Sequence, residues 1–427
     1  MALSQTSQCL QFFHRLLDDL DDQFVRMRRW GPRSIWVALL ILTRPSGLRS
    51  YRCMLSTILE HTSGLLGWEK APSAASFSKA HGKLPALASR ELIHALVKKL
   101  WPWQRARFRH HQPRRFIAID GTRFICPRSR QTLKKLDRPH AKPWLLSHYP
   151  QALVVVAFDI VRRLPLDWAM LPKGRGERAA MTPLLETLGR GDVAIMDRGF
   201  PARWLLAMLV DRGIDVVMRM TSAKAGSWPE IVEFLASGSK SAVISCNLSK
   251  GRSVTVRLVR KNARLGRPKK HQDAPETMVI MTTLLPRDGF EHADIVELYS
   301  QRWGIETLFR EMKDAFEIER FHAQSLMGIE QEIAAVIAWI ALSAVLKDHL
   351  EAELADGRKV NGTMCRAAIE SLLLAAWRGS NSRQGARVDS GGNHGDLISR
   401  DNNLEVEVMA PGIMLWPLPR IDKLLHG

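Results

Sequence analysis

A mixed α/β sheet carrying a basic, β-rich insertion, with helical regions at both ends, is the architecture predicted for this 427-residue chain. Three observations point to it. From Phe116 onward, apolar runs of strand length alternate with helical patterns in the order strand, strand, strand, helix, strand, helix, strand. Residues 219–271 hold 12 Lys and Arg against 2 acids, a net +10 within 53 residues, and include alternating stretches such as "SVTVRLVR" and "AVISCNL". The segments before and after read with helical period.

Taken in order, the start "MALSQTSQCLQFFHRLLDDLDDQF" reads as an amphipathic helix and lacks the charged-then-apolar pattern of a signal peptide. Ala71 to Leu100 gives two helical patterns broken near Gly82 to Pro85, either a DNA-reading helix-turn-helix or a structural helix pair. "WPWQRARFRHHQPRRF" (Trp101 to Phe116) has five arginines, two histidines and no acid, which suits a solvated connector or a nucleic-acid strand. "RFIAIDGTRFI" then reads as a short strand ending in Asp120. Two strands follow around 152–160 and 165–171, joined by a turn at Arg162–Arg163. "ERAAMTPLLETL" is a helix, "DVAIMDRGF" a strand with Asp197 at its C-terminal end, "PARWLLAMLVDRG" a helix and "DVVMRM" a strand. "KNARLGRPKKHQ" is an exposed basic loop, and after "TMVIMTTLLP" a long helix begins near Asp294. The Gly/Ser/Asn-rich stretch 378–403 is a linker before a short tail. The expected organisation is a helical region over 1–110, an α/β domain over 111–325 with the insertion at about 219–285, and a C-terminal helical region over 326–427.

The bulk numbers narrow the partner. With 46% hydrophobic and 25% charged residues the composition is that of a globular protein, but 62 Lys and Arg against 43 Asp and Glu leave a net charge of +19. Such a surplus favours a polyanion, nucleic acid before an anionic membrane surface. The five cysteines are scattered singly without a CxxC pair, which argues against a disulfide framework or a zinc site and for a reducing cytosol. The most apolar run, "IAAVIAWIALSAVL" from Ile333, is 14 residues long and reads as a buried helix rather than a membrane span.

"YSQRWGIETLFREMK" (Tyr299 to Lys313) aligns Tyr299, Arg302, Glu306 and Lys313 within an arc of about 60° on an ideal helix, beside an apolar strip of Ile305, Leu308, Met312 and Phe316. Surface pairing would explain part of this pattern. An aspartate at a strand end, such as Asp120 or Asp197, is equally a turn former or a cap. Together, Asp120, Asp197 and Glu306 offer three carboxylates with no thiol or imidazole cluster. Oxygen ligands of this kind select Mg2+ or Mn2+ over zinc. Two such ions about 3.5–4 Å apart activate the attacking oxygen and steady the leaving one in phosphoryl transfer.

At these residues the chain resembles the large branch of bacterial insertion-sequence DDE transposases with the signature Tyr-x2-Arg-x3-Glu-x6-Lys, matched without a gap by Tyr299, Arg302, Glu306 and Lys313. "IDGT" around Asp120 and "MDRGF" around Asp197 resemble that branch's two catalytic aspartate motifs, in the right order. The resemblance implies an RNase H-like catalytic core and two Mg2+ or Mn2+ ions held by Asp120, Asp197 and Glu306. It assigns DNA-backbone contacts to Tyr299, Arg302 and Lys313, and base stacking to Trp303. In some relatives a tryptophan of the insertion receives a flipped base; the equivalent stretch here is "TMVIMTT", with Met278 and no aromatic. The activity implied is cut-and-paste transposition through hairpin ends, on double-stranded DNA (terminal inverted repeats and target). A homodimer would act in the bacterial cytoplasm at the nucleoid, with no membrane partner. Two other readings remain open from the residues: a catalytically silent or domesticated DNA-binding derivative, and an RNase H-like nuclease without strand transfer.

Overall fold

The computed structural model describes residues 30–45, 50–62, 72–107 apart from 86, 114–136, 148–221, 228–248, 251–263, 276–353 and, with breaks, 360–371. The expected N-terminal amphipathic helix, most of the "KNARLGRPKKHQ" loop, the 378–403 linker and the tail lie outside them. Helices α1 (Pro32–Leu42), α2 (Tyr51–Thr62), α3 (Ala74–His81) and α4 (Ala88–Arg107) come first. Strand β1 (Phe116–Ile125) and helix α5 (Arg130–Leu136) follow, then β2 (Gln151–Asp159) and β3 (Leu164–Pro172). A 3-10 turn (Glu177–Ala180) runs into the one-turn helix α6 (Met181–Leu184). Next are β4 (Val193–Met196), α7 (Arg203–Asp211), β5 (Asp215–Met220), α8 (Pro229–Ala236), β6 (Ser241–Asn247), β7 (Ser253–Ala263) and β8 (Glu276–Thr282). Helices α9 (His292–Gln301), α10 (Trp303–Asp314) and α11 (Leu326–Glu353) complete the order.

The described residues up to Gln104 and from Met312 form one compact unit, which is helical; those from Arg105 to Glu311 form the other, built on the sheet. The eight strands among the described residues join one mixed sheet in the order β3-β2-β1-β4-β5-β8-β7-β6. β1 runs parallel to β4 and β4 parallel to β5, whereas the remaining pairs are antiparallel. The α/β mixed sheet is therefore as expected, and the basic insertion proves to be an extension of it. β8 pairs with β5 from Val217↔Thr282 to Met220↔Val279, so the insertion strands prolong the central sheet, with one helix, α8, among them.

β2 reads "QALVVVAFD" and is buried from Ala152 to Asp159, a continuous apolar run of the kind demanded by a strand covered on both faces. The β2–β3 turn at Arg162–Arg163 is built around Asp159, whose Oδ1 accepts the Val161 and Arg162 amides at 3.0 Å each. Arg163 takes the left-handed conformation there, with φ 53°. The expected helix over "ERAAMTPLLETL" is much shorter, ending at Leu184. Pro183 lies within it, and a proline lacks the amide that would bond back along a longer helix.

In the helical unit, α3 and α4 form the expected helix pair, with Ser73 capping α3 through its side chain. The apolar run from Ile333 lies within a longer stretch, Leu326–Asp348, whose 23 residues are long and apolar enough to cross a membrane; 83% of its most apolar window is buried inside the protein. A helix apolar all round is what a buried core element requires.

Candidate active site

Strand register creates the first half of the site. β1 and β4 pair in parallel up to Ile119↔Met196, so the next residues, Asp120 and Asp197, fall side by side. Asp197 directly follows β4, as expected. Asp120 does not end its strand: β1 continues to Ile125, because Gly121 to Ile125 find partners along β2 from Val155 to Gln151. Each aspartate is oriented by a nearby glycine amide. Gly121 N–H donates to Asp120 Oδ1 at 2.8 Å, and Gly199 N–H to Asp197 Oδ1 at 2.7 Å.

A third carboxylate joins them from the 3-10 turn after β3. One oxygen each from Asp120, Glu177 and Asp197 lie within 4.8 Å of one another. Burial raises the Asp120 carboxyl above its ordinary range; Arg302 offsets part of that, and Asp197 and Glu306 add to it. Glu177 is pushed up to about 7, chiefly by burial and then by the charges of Asp197 and Asp120. Converging carboxylates resist ionisation in each other's presence, as expected of a site shaped for a positive charge.

Glu306 approaches from α10. Its Oε1 accepts from Arg302 Nη2 at 2.7 Å, while Arg302 Nη1 donates to Asp120 Oδ2. One guanidinium thus ties Asp120 to Glu306, and Glu306 lies outside the trio that shares 4.8 Å. Arg302 Nε is buried with no hydrogen-bond partner. The signature residues do not share one uninterrupted helix. Arg302 stands between α9 and α10, with its N–H bonding Tyr299 C=O at 3.2 Å and its own C=O accepting from Ile305 N–H at 3.0 Å. These three-residue links tighten the chain into a 3-10 turn at that point.

The neighbouring residues fall in contrasting environments. Tyr299 is buried among Val193, Val217, Ile280 and Met278, with the Arg302 guanidinium 5.9 Å from its ring centre; burial raises its hydroxyl pKa. Trp303 is 58% exposed, so its large indole is not core packing. Met278 belongs to the core beneath β8, and that strand accordingly presents no aromatic to solvent at this position. Lys313, on the last turn of α10, is half-buried and belongs to the helical unit. Ile305, Leu308, Met312 and Phe316 are all buried, as their spacing predicted.

Oxygen-only donors that already converge within 4.8 Å fit a hard divalent cation. The donor set therefore suits Mg2+ or Mn2+, with Asp120, Asp197, Glu177 and Glu306 as the groups able to hold it.

The family model for the transposase DDE domain matches residues 111–342, more than half of the chain and all of the sheet. The chain belongs to the transposase DDE domain family. It is thus an enzyme of DNA transposition, and its family works with divalent metal. No curated protein matches the transposase. Among solved structures it is similar to a piggyBac transposase synaptic complex with hairpin DNA, determined by cryo-EM, at 13% identity and a TM-score of 0.46, over 90% of this chain and 82% of that one.

Sequence reasoning passed over Glu177, which it absorbed into an ordinary helix. A signal was present: "KGRGER" places an acid just after a glycine-rich turn at the end of a sheet strand, where α/β proteins place ligand-binding groups.

Proposed function

We propose that this transposase excises and inserts a bacterial insertion element by a cut-and-paste route, with Asp120, Asp197 and Glu306 as its metal-holding carboxylates. The observation that carries the reading is the parallel register of β1 and β4, which sets Asp120 against Asp197 in a chain of the DDE family. The uninterrupted Tyr-x2-Arg-x3-Glu-x6-Lys spacing at Tyr299, Arg302, Glu306 and Lys313 supports the insertion-sequence branch.

Mg2+ or Mn2+ ions, when bound, supply a Lewis acid that favours hydroxide at neutral pH and stabilises the leaving oxygen. The protein's own groups do the rest. Asp120 and Asp197 are pre-aimed by the Gly121 and Gly199 amides, so little ordering is left for the reaction. Arg302, held against Asp120 and Glu306, is positioned to turn its fork toward a backbone phosphate as DNA enters. Exposed Trp303 offers a stacking face for a displaced base, and Lys313 a point charge. The net charge of +19 draws the DNA in. The substrate DNA is the element's terminal inverted repeats and then a target: the freed 3′-hydroxyl attacks the opposite strand, releasing the flanking DNA and closing a hairpin, and water reopens the hairpin to restore the 3′-hydroxyl that joins the target. Two copies pair the ends at the nucleoid, with residues 1–110 reading the end sequence and 326–427 contributing to dimerisation.

The test is strand cleavage of end-bearing DNA by purified protein with and without Mg2+. Glu306→Gln abolishes cleavage while end binding survives; full cleavage by that variant overturns the assignment.

A further inference from the structure

We propose that Glu177 is a fourth carboxylate ligand of the site, seated between the two glycines of the aspartate motifs so that it completes a cation position with Asp120 and Asp197. This rests on the reading of the site given above and adds to it a residue outside the Asp-Asp-Glu set.

The geometry points to it in three ways. Glu177 shares the 4.8 Å cluster with both aspartates, whereas Glu306 meets Asp120 only across Arg302. Among the described residues no donor bonds the Glu177 carboxylate, although it is only half-exposed and stands beside two further acids. Three carboxylates this close repel one another, and a cation between them offsets that repulsion.

The glycines supply the third line. A Cβ on Gly121 would stand 2.8 Å from Glu177 Oε1 and 2.9 Å from its Cγ; a Cβ on Gly199 would stand 2.9 Å from Oε2. Neither glycine has a positive φ, so backbone conformation does not require glycine at these positions. The Glu177 carboxylate lies against both, one oxygen to each, with Leu153 Cδ1 also 3.1 Å from the Gly121 position and Asp197 Oδ1 3.0 Å from that of Gly199. The glycine of "IDGT" and the glycine of "DRGF" thus both border one acid that lies in neither motif. Arg178, the next residue, fastens this turn by donating from Nε to Gly199 C=O at 2.9 Å.

The experiment is Mn2+ titration of the purified full chain without DNA, read by the loss of free-ion electron paramagnetic resonance signal. Glu177→Gln keeps the volume and removes the charge; it weakens Mn2+ binding by about tenfold or more, the scale on which ligand-shell changes act. Glu233→Gln, an exposed acid on α8, leaves binding unchanged. Glu177→Asp keeps the charge but shortens the reach, and it too weakens binding; it carries the test if Glu177→Gln does not fold. Should both variants bind Mn2+ as wild type does while Asp120→Asn loses it, Glu177 is no ligand and the Asp-Asp-Glu reading stands. Should Asp120→Asn and Asp197→Asn also bind as wild type, the reading of the whole site fails.

Discussion

Two acids, one in each unit, are handled in opposite ways. Glu332 in the helical unit is 2% exposed and fully paired: its carboxylate accepts the His322 amide at 3.0 Å and the Ala323 amide at 2.8 Å. Its neighbour Gln331 exchanges two hydrogen bonds with His81, and Trp339 Nε1 donates to Leu40 C=O at 2.7 Å. Polar groups there join segments distant in sequence. Glu177 in the sheet unit is less buried, yet it faces two other carboxylates without a donor. An acid enclosed by amides is architecture, whereas an acid facing acids holds a place for something positive.

The contrast is sharpest in a pair of substitutions with opposite readouts. Asp197→Asn lowers strand cleavage by about a thousandfold or more, corresponding to about 4 kcal/mol of lost transition-state stabilisation. Its melting temperature stays at or above that of wild type, since one of three converging charges is gone. A cleavage rate near wild type would remove Asp197 from the chemistry. Glu332→Ala does the reverse. It strands the His322 and Ala323 amides in the interior and costs about 2–4 kcal/mol of stability, measured by urea unfolding. Cleavage per folded molecule is retained. Unchanged stability in that variant would break the comparison from the other side.

The smallest effect is a pH dependence. Glu177 is raised from an ordinary 4.5 to about 7 in the folded protein. Below 4.5 both folded and unfolded forms are protonated; between 4.5 and about 7 the unfolded chain releases the proton first. Stability of metal-free protein therefore falls as pH rises through that window, and the melting temperature declines by a few degrees. Glu177→Gln flattens the slope. A slope that persists in the variant would assign the titration to another group.

Much of the sheet unit was legible because its code is local. "ALVVVAFD" and "DVAIM" are strands by apolar content alone, and Asp197 ends its strand where the apolar run ends. Asp120 was misread as terminal because "DGT" has turn composition; pairing with β2 carried the strand through it. The even stripe from Tyr299 to Lys313 assumed one straight helix. Arg302 interrupts it, Tyr299 is drawn into the core and Trp303 outward, since tertiary contacts override a helical wheel. Glu177 was missed because "KGRGER" carries its signal only through its place after a sheet strand, and the motifs it meets lie far from it in sequence.

From its residues alone the chain determined its family, its strand order along the sequence, a positive charge suited to a polyanion and two of the three acids that converge in the sheet unit, because periodicity, charge and short motifs are written locally. Tertiary structure alone decided that the insertion strands extend the central sheet, that Arg302 stands between Asp120 and Glu306, and that Glu177 closes on the two aspartates. These depend on which backbones lie near enough to touch, and distance along a chain carries no record of distance in space.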